Sequence, residues 1–464
     1  MAEPTNHPGT ATPSVSSAPA TGPVAPPDRD PAAGADLGRR RFFRQFAGDI
    51  ANTAATVVGA AQALQRTSAE MAATLLDPTR VAGGATAGST ATATPAPFTE
   101  WSAGPTFRTA FQVDPGAIRF VDQRALPSTI AEHVAVSAAE VTWAIRNEVV
   151  VGGPAIGQAA ANGLALTAAR ASDTKPYARR ATLRGAANAL RNVAPTVASV
   201  GWAVDRVMAA YEAVGELDED GGAIAAAIQA EADAIVAEAT IEHGRLVEHG
   251  VAFLDTLPVP PDQPLRLLVH GPSGTLAGGQ CGTALAIAIA AHHAGRDVRI
   301  LVPEGRPGLF GARISCWELA GAGMSNVLVP DAAAAGIVAA GGVDAVLVLA
   351  DRIAVNGDVG AAVGSFGLAA AARHRGIPFL VCATVGSLDP ATATGVDIVV
   401  GSRDVPELAA IGVEAHAPRS TEVVAPREDV VPASLVSDYV GANGLGLPAF
   451  PPARPVAEDA AVES

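Results

Sequence analysis

The chain has 464 residues, 49% of them hydrophobic and 17% charged, with a formal net charge of −15. A domain of roughly 100–200 residues is the usual size, so two or three domains are expected. The apolar share excludes a wholly disordered chain. The acidic balance excludes a general nucleic-acid binder, which needs basic surface against phosphates. Aromatic residues make up only 4%, so the core must be built from Ala, Val, Leu and Ile. Lys175 is the only lysine, which with the abundant alanine marks a compositional bias. Cys281, Cys316 and Cys382 are odd in number, form no CxxC and sit in apolar surroundings. That pattern suits a reduced, cytoplasmic protein better than a disulfide scaffold or a zinc site. No uninterrupted apolar stretch reaches the about 18 residues of a membrane span.

Residues 1–38 are rich in Pro, Ala, Thr, Ser and Gly and read as a disordered tail. Residues 39–80 read as an amphipathic helical segment. Phe42, Phe46, Ile50, Thr53, Val57, Ala61 and Leu64 share one helical stripe behind Arg39, Arg40, Arg41 and Arg44. This pattern resembles a twin-arginine export signal, although Asp49, Asn52 and Gln62 weaken the apolar run. The alternative is a helix that lies on the protein itself, on a partner or on a membrane surface through residues 39–66. Cytoplasmic location is the main expectation and export the minor one. A linker follows over 81–109.

Residues 110–255 read as a helical N-terminal domain. A strand-like start (117–127) precedes Ala-rich helical segments around 137–149, 155–170, 178–193, 196–215 and 220–250. Residues 256–443 alternate differently. Strand-like runs at 266–271, 298–303, 326–330, 345–351, 379–385 and 397–401 are separated, in the earlier part, by Ala-rich helices. Apolar strands alternating with helices imply a parallel sheet covered on both faces. The expectation is therefore an α/β chain, a helical N-terminal domain followed by a Rossmann-like parallel-sheet domain. Its site should lie at the carboxyl ends of the strands. Residues 444–464, Pro-rich and acidic, read as a loose tail.

Eight segments in order carry a resemblance. They are FVDQRALP (120–127), AIRNEVVVGGPAIGQAAANGLAL (144–166), PTVASVGWAVDRV (195–207), HGPSGTLAGGQCGTAL (270–285), EGRPGLFGARISCWEL (304–319), ADRIAVNGDVGAAVGSFGLA (350–369), RGIPFLVCA (375–383) and DVVPASLV (429–436). Together the chain resembles the methylthioribose-1-phosphate isomerase family. Its relatives are ribose-1,5-bisphosphate isomerase and the alpha, beta and delta subunits of translation initiation factor 2B. The resemblance implies a homodimer and aldose–ketose isomerisation of a sugar 1-phosphate, such as methylthioribose 1-phosphate in methionine salvage, with no cofactor and no metal. The anomeric phosphate blocks free ring opening, so an acid must open the ring and a second group must move hydrogen between C1 and C2. The family gives this work to a Cys and an Asp.

The Asp carries over as Asp351, at the carboxyl end of a strand, where burial can raise its pKa. The bland alternative is a cap or a pair with Arg352. The Cys does not carry over: the family's His-Cys-Asn-(Thr/Ser)-Gly reads His270-Gly271-Pro272-Ser273-Gly274 here. Cys281 is a speculative substitute, favoured if it meets a helix start; the alternative is a buried apolar filler. Around the ligand the resemblance implies Gly152, Gly153, His270, Ser273, Gly274, Arg306 and Asn356. Other polar residues of the family are replaced, by Val151, Ala194, Phe310, Ala361 and Ala362, although Arg306 and Arg313 remain. Each replacement removes a polar interaction worth on the order of 1.5–3 kcal/mol. The glycine-rich Gly271–Gly282 loop could hold an anion on its N–H groups or simply pack tightly; it is neither a P-loop nor a GxGxxG turn, so no nucleotide is inferred. Two readings follow. One is a divergent member with a degraded sugar-phosphate site that binds a small molecule or a partner. The other is a working isomerase built on Asp351.

Overall fold

The computed structural model describes residues 109–402, 410–411, 414–415, 417–418 and 420–451. The tail expected over 1–38, the amphipathic segment of 39–80 and all but the end of the linker lie outside the described residues.

The described chain begins with a three-stranded antiparallel sheet, β1 (Phe111–Asp114), β2 (Ala117–Val121) and β3 (Glu132–Ala135). Five helices follow: α1 (Ala138–Arg146), α2 (Gly153–Ala171), α3 (Pro176–Arg191), α4 (Ala198–Val214) and α5 (Gly221–Leu254). Ser137 starts α1, its Oγ accepting from Glu140 N–H, while the Glu140 carboxylate accepts from Val136 N–H at 2.7 Å. The first bond satisfies a donor that a helix start leaves unpaired, and the second ties the residue before the cap to the first turn. Helix α2 is buried almost all round, which explains its Ala- and Gly-rich sequence. A Cβ at Gly157 would press on the carbonyl of Ser199 in α4, at 2.8 Å. Small residues thus let α2 sit at the centre of the bundle. Helix α5 joins the two halves of the fold: Ile224, Ile228, Ala232 and Ile235 enter the helical core, while Leu246, Val247 and Leu254 enter the core of the sheet.

The second half alternates strands and helices: β4 (Leu265–His270), α6 (Thr275–Gly278), α7 (Ala284–His293), β5 (Val298–Pro303), a π-helical turn at Gly311–Ser315, α8 (Cys316–Gly321), β6 (Asn326–Val329), α9 (Asp331–Ala339), β7 (Ala345–Ile353), β8 (Val359–Ala362), α10 (Ser365–Arg375), β9 (Phe379–Cys382), the two-residue strands β10 (Ala410–Ile411) and β11 (Glu414–Ala415), β12 (Glu428–Val431), β13 (Asp438–Gly441) and β14 (Gly444–Leu445). The parallel strands lie in the order β13-β9-β7-β4-β5-β6. The chain winds outward from β4 through β5 to β6, returns to β7, and winds the other way through β9 to β13. The sheet is thus doubly wound, with its switch point between β4 and β7, where the carboxyl ends leave a crevice for ligands. Apolar clusters cover both faces, as expected for an α/β protein.

One expected strand is absent. Residues 397–401 do not pair with the sheet. The Asp397 carboxylate instead accepts from the N–H and hydroxyl of Thr394, closing a short 3₁₀ turn at Gly395–Asp397 and leaving Val396, Val399 and Val400 exposed. The place beside β9 is taken by β13, and Gly444–Leu445 fold back on β13 as β14.

Candidate active site

Strand β7 runs past the parallel sheet. From Ala350 to Ile353 it pairs antiparallel with β8, and the register slips between Ala350 and Arg352. Asp351 occupies this bulge, a device that re-aims a side chain next to functional sites. Its carboxyl lies at the N-terminus of α2. A Cβ on Gly153 would stand 3.0 Å from Asp351 Oδ1, tighter than ordinary contact, so glycine favours this approach. The N-cap of α2, Gly152, offers no side-chain oxygen; the Asp351 carboxylate serves the helix start instead, where the dipole favours negative charge. Ser199 anchors the same turn by donating its hydroxyl to the Gly153 carbonyl.

Burial pushes the Asp351 carboxyl up to about 7, the charge of Glu428 adds to this, and the Gly153 N–H opposes it. Arg352 does not neutralise Asp351. Its guanidinium pairs with Asp389 and donates to the carbonyls of Pro195, at 2.7 Å, and Thr196, at 3.3 Å.

In front of Asp351 is a cavity of about 320 Å³, lined on one side by the helical half (Val150 to Gly153, Val193 to Val197) and on the other by the sheet (His270 to Pro272, Gly305 to Pro307, Ala362, Glu428). A volume in this range suits a small ligand. The walls are mostly apolar and include Phe310, which lines the cavity without filling it. Arg146, Arg306 and Arg427 lie at its exposed edge. Planar guanidiniums suit bidentate recognition of phosphate. The loop carrying Arg306 is fixed by Asp331, whose carboxylate accepts from the N–H groups of Gly305 at 2.9 Å and Arg306 at 2.7 Å. Glu148 also lines the cavity, with a left-handed φ of 58° that costs a non-glycine residue energy.

The structure brings Asp351, Gly152, Gly153, His270 and Arg306 together around this cavity, with Gly271 beside them. His270 is buried and its pKa is lowered by that burial; Nε2 lies 2.7 Å from the Val363 carbonyl. Ser273, Gly274, Cys281 and Asn356 do not line the cavity. The Ser273 hydroxyl accepts from Leu285 N–H and ties down the start of α7. A side chain at Gly274 would overlap the Glu318 carboxylate, which receives Leu276 N–H at 3.0 Å. Asn356 holds a surface turn through Asp358. Burial pushes the Cys281 thiol up to about 11, the opposite of what a thiolate nucleophile needs. Arg313, retained from the family pattern, donates to the carbonyls of Gln123, Gly308 and Leu126 and is structural.

Sequence reading missed Arg146, Glu148, Arg427 and Glu428. The signal was present: Arg146 and Glu148 lie inside the 144–166 segment, and Glu428 directly precedes DVVPASLV.

The model of the initiation factor 2 subunit family matches residues 149–448. Methylthioribose-1-phosphate isomerase of Gemmatimonas aurantiaca is 39% identical over 334 residues, covering 72% of this chain and 92% of that protein. The enzyme of the same name from Chloroflexus aurantiacus is also 39% identical over 334 residues, with 72% and 94% covered. Among solved structures, the 5-methylthioribose 1-phosphate isomerase of Pyrococcus horikoshii OT3 superposes with a TM-score of 0.64 at 31% identity, covering 73% of this chain and 92% of that one. The delta subunit of translation initiation factor eIF-2B from A. fulgidus gives a TM-score of 0.60 at 27% identity, with 73% and 95% covered. The family model, which matches more than half of the chain, and these relatives agree: the chain belongs to the initiation factor 2 subunit family, on the side of its methylthioribose-1-phosphate isomerase-like members.

Proposed function

We propose that the chain is an aldose–ketose isomerase acting on a sugar 1-phosphate, with methylthioribose 1-phosphate the first candidate substrate. The observation that carries this reading is the Asp351 carboxyl, pushed up to about 7 by burial, in the wall of a cavity of about 320 Å³ that exposed arginines also line. A carboxyl in that range gives and takes protons at neutral pH, which ring opening and hydrogen transfer both require. Arg306, Arg427 and Arg146 would receive the phosphate, in place of the polar family residues that Val151 and Ala194 replace. The mostly apolar walls would reduce the water around the sugar.

Gly271 favours a second reading, in which the cavity binds a sugar phosphate without converting it, because no side chain there can carry a proton. Incubation of the protein with methylthioribose 1-phosphate, followed by NMR of the ketose, separates the two. Conversion by the wild type that falls at least about 100-fold in Asp351→Asn supports the isomerase. Saturable binding without conversion supports the second reading, and neither binding nor conversion removes both.

A further inference from the structure

We infer that Glu428 is the second proton carrier of the site, forming with Asp351 a carboxylate pair that does the work of the thiol Gly271 lacks. The inference rests on the isomerase reading above. Its basis is the order of strands at the cavity wall. Strand β8 lies between β7 and β12: Ala361 faces Ala350 on one side and Asp429 on the other, and Ala362 faces Glu428. A Cβ on Gly271 would stand 3.0 Å from the Ala362 Cβ. Directly paired residues of an antiparallel ladder keep their Cβ atoms about 4.5–5.5 Å apart. Glu428 therefore starts one pairing distance from the space beside Gly271, and it has the longer of the two acidic side chains with which to reach across. Glu428 is 7% exposed and lines the same cavity as Asp351. The two carboxyls are near enough for the charge of one to raise the pKa of the other. Burial and that charge favour the protonated form of Asp351, while Arg352 lies close enough to feel the charge of Glu428, so the pair divides into an acid and a base.

That division matches the chemistry. Protonated Asp351 gives its proton to the ring oxygen as the C1–ring oxygen bond breaks. Ionised Glu428 takes the proton from C2, and the electron pair of that C–H bond forms the C1–C2 double bond of an enol phosphate. Glu428 then returns its proton to C1, while Asp351 takes the proton of the C2 hydroxyl as that carbon becomes the ketone. Both carboxyls end as they began. The groups around the pair are His270 from β4, Arg352 from β7, Glu148 from the turn after α1, and Arg306 and Arg427 at the edge.

The test is steady-state conversion of methylthioribose 1-phosphate across pH 5–9 by wild type, Glu428→Gln and Glu428→Asp. In Glu428→Gln we expect kcat to fall by about 10²–10⁴-fold, KM to change less than about threefold, and one limb of the kcat–pH profile to disappear. Glu428→Asp should regain part of kcat with that limb displaced, which a purely structural role would not produce and which decides the matter should Glu428→Gln not fold. Wild-type kcat and an unchanged profile in either folded variant overturn the inference and leave the isomerase reading standing. A wild type that converts no substrate overturns both.

Discussion

Asp351→Asn should change stability in a pH-dependent way, whatever the substrate. The wild-type carboxyl sits near 7 in the folded protein against an ordinary 3.8, so the folded state holds its proton more tightly than the unfolded state does. Below about pH 3.8 both states are protonated and the proton-linked stability is fully present. It is lost progressively as pH rises, and above about 7 the folded protein bears the whole cost of a buried charge. At about 1.36 kcal/mol per pH unit the difference corresponds to about 4 kcal/mol, and the carboxyl's partial contact with the cavity lowers the expectation to about 2–4 kcal/mol. Asparagine never ionises and keeps an oxygen for the Gly153 N–H. Asp351→Asn should therefore match wild type at pH 4 and exceed it by about 2–4 kcal/mol at pH 8.5, read as the difference in urea unfolding free energies. Equal differences at the two pH values would refute the argument that burial and the Glu428 charge set this pKa.

Two further substitutions probe the scaffold around the cavity. Gly274→Ala drives a methyl into the buried Glu318 carboxylate, itself pushed up to about 7 by burial. We expect at least about 2–3 kcal/mol of destabilisation by chemical denaturation, the scale of a strongly overpacked core; a loss below about 0.5 kcal/mol would mean that Glu318 can move aside. Arg352→Ala strands Asp389 and releases the Pro195–Thr196 wall. Breaking a mostly buried pair should cost about 3–5 kcal/mol, and the melting temperature of Arg352→Ala and Asp389→Ala should fall by similar amounts.

Most helix and strand positions were legible because local periodicity and burial agree. Helices expected around 178–193 and 196–215 appear at Pro176–Arg191 and Ala198–Val214, each bounded by the Gly, Pro or Asn residues that mark such ends. The strand expected at 397–401 failed because a hydrogen-bonded turn at Thr394–Asp397 competes with an apolar run, and hydropathy does not register that bond. Asp351 was legible because its motif surrounds it. Ser273, Gly274 and Asn356 were placed near the ligand by their segments, yet they serve packing and turns: a glycine-rich loop reads alike whether its N–H groups meet an anion or, as at Leu276, a buried glutamate. Glu428, although it adjoins a recognisable segment, was missed for a different reason. It lies 77 positions beyond Asp351 in sequence and meets the site only through the β7–β8–β12 ladder.

The same ladder bears on how the site keeps its cavity with glycine at position 271. The crevice at the switch point is fixed by the order β5-β4-β7-β9, the close approach of the α2 start to Ala277 by Gly152 and to Asp351 by Gly153, and the Pro195–Thr196 wall by Arg352. None of these depends on the side chain at position 271. Gly271 has a φ of +78°, a conformation glycine adopts freely and other residues at a cost of about 1–2 kcal/mol. Glycine there relieves backbone strain and opens room next to Ala362, on the side from which Glu428 comes. A carboxylate reaching the cavity from a neighbouring strand, as proposed for Glu428, thus needs no change of fold. It needs a small residue at 271, a small residue at 362 and an acid at 428, and this chain has all three.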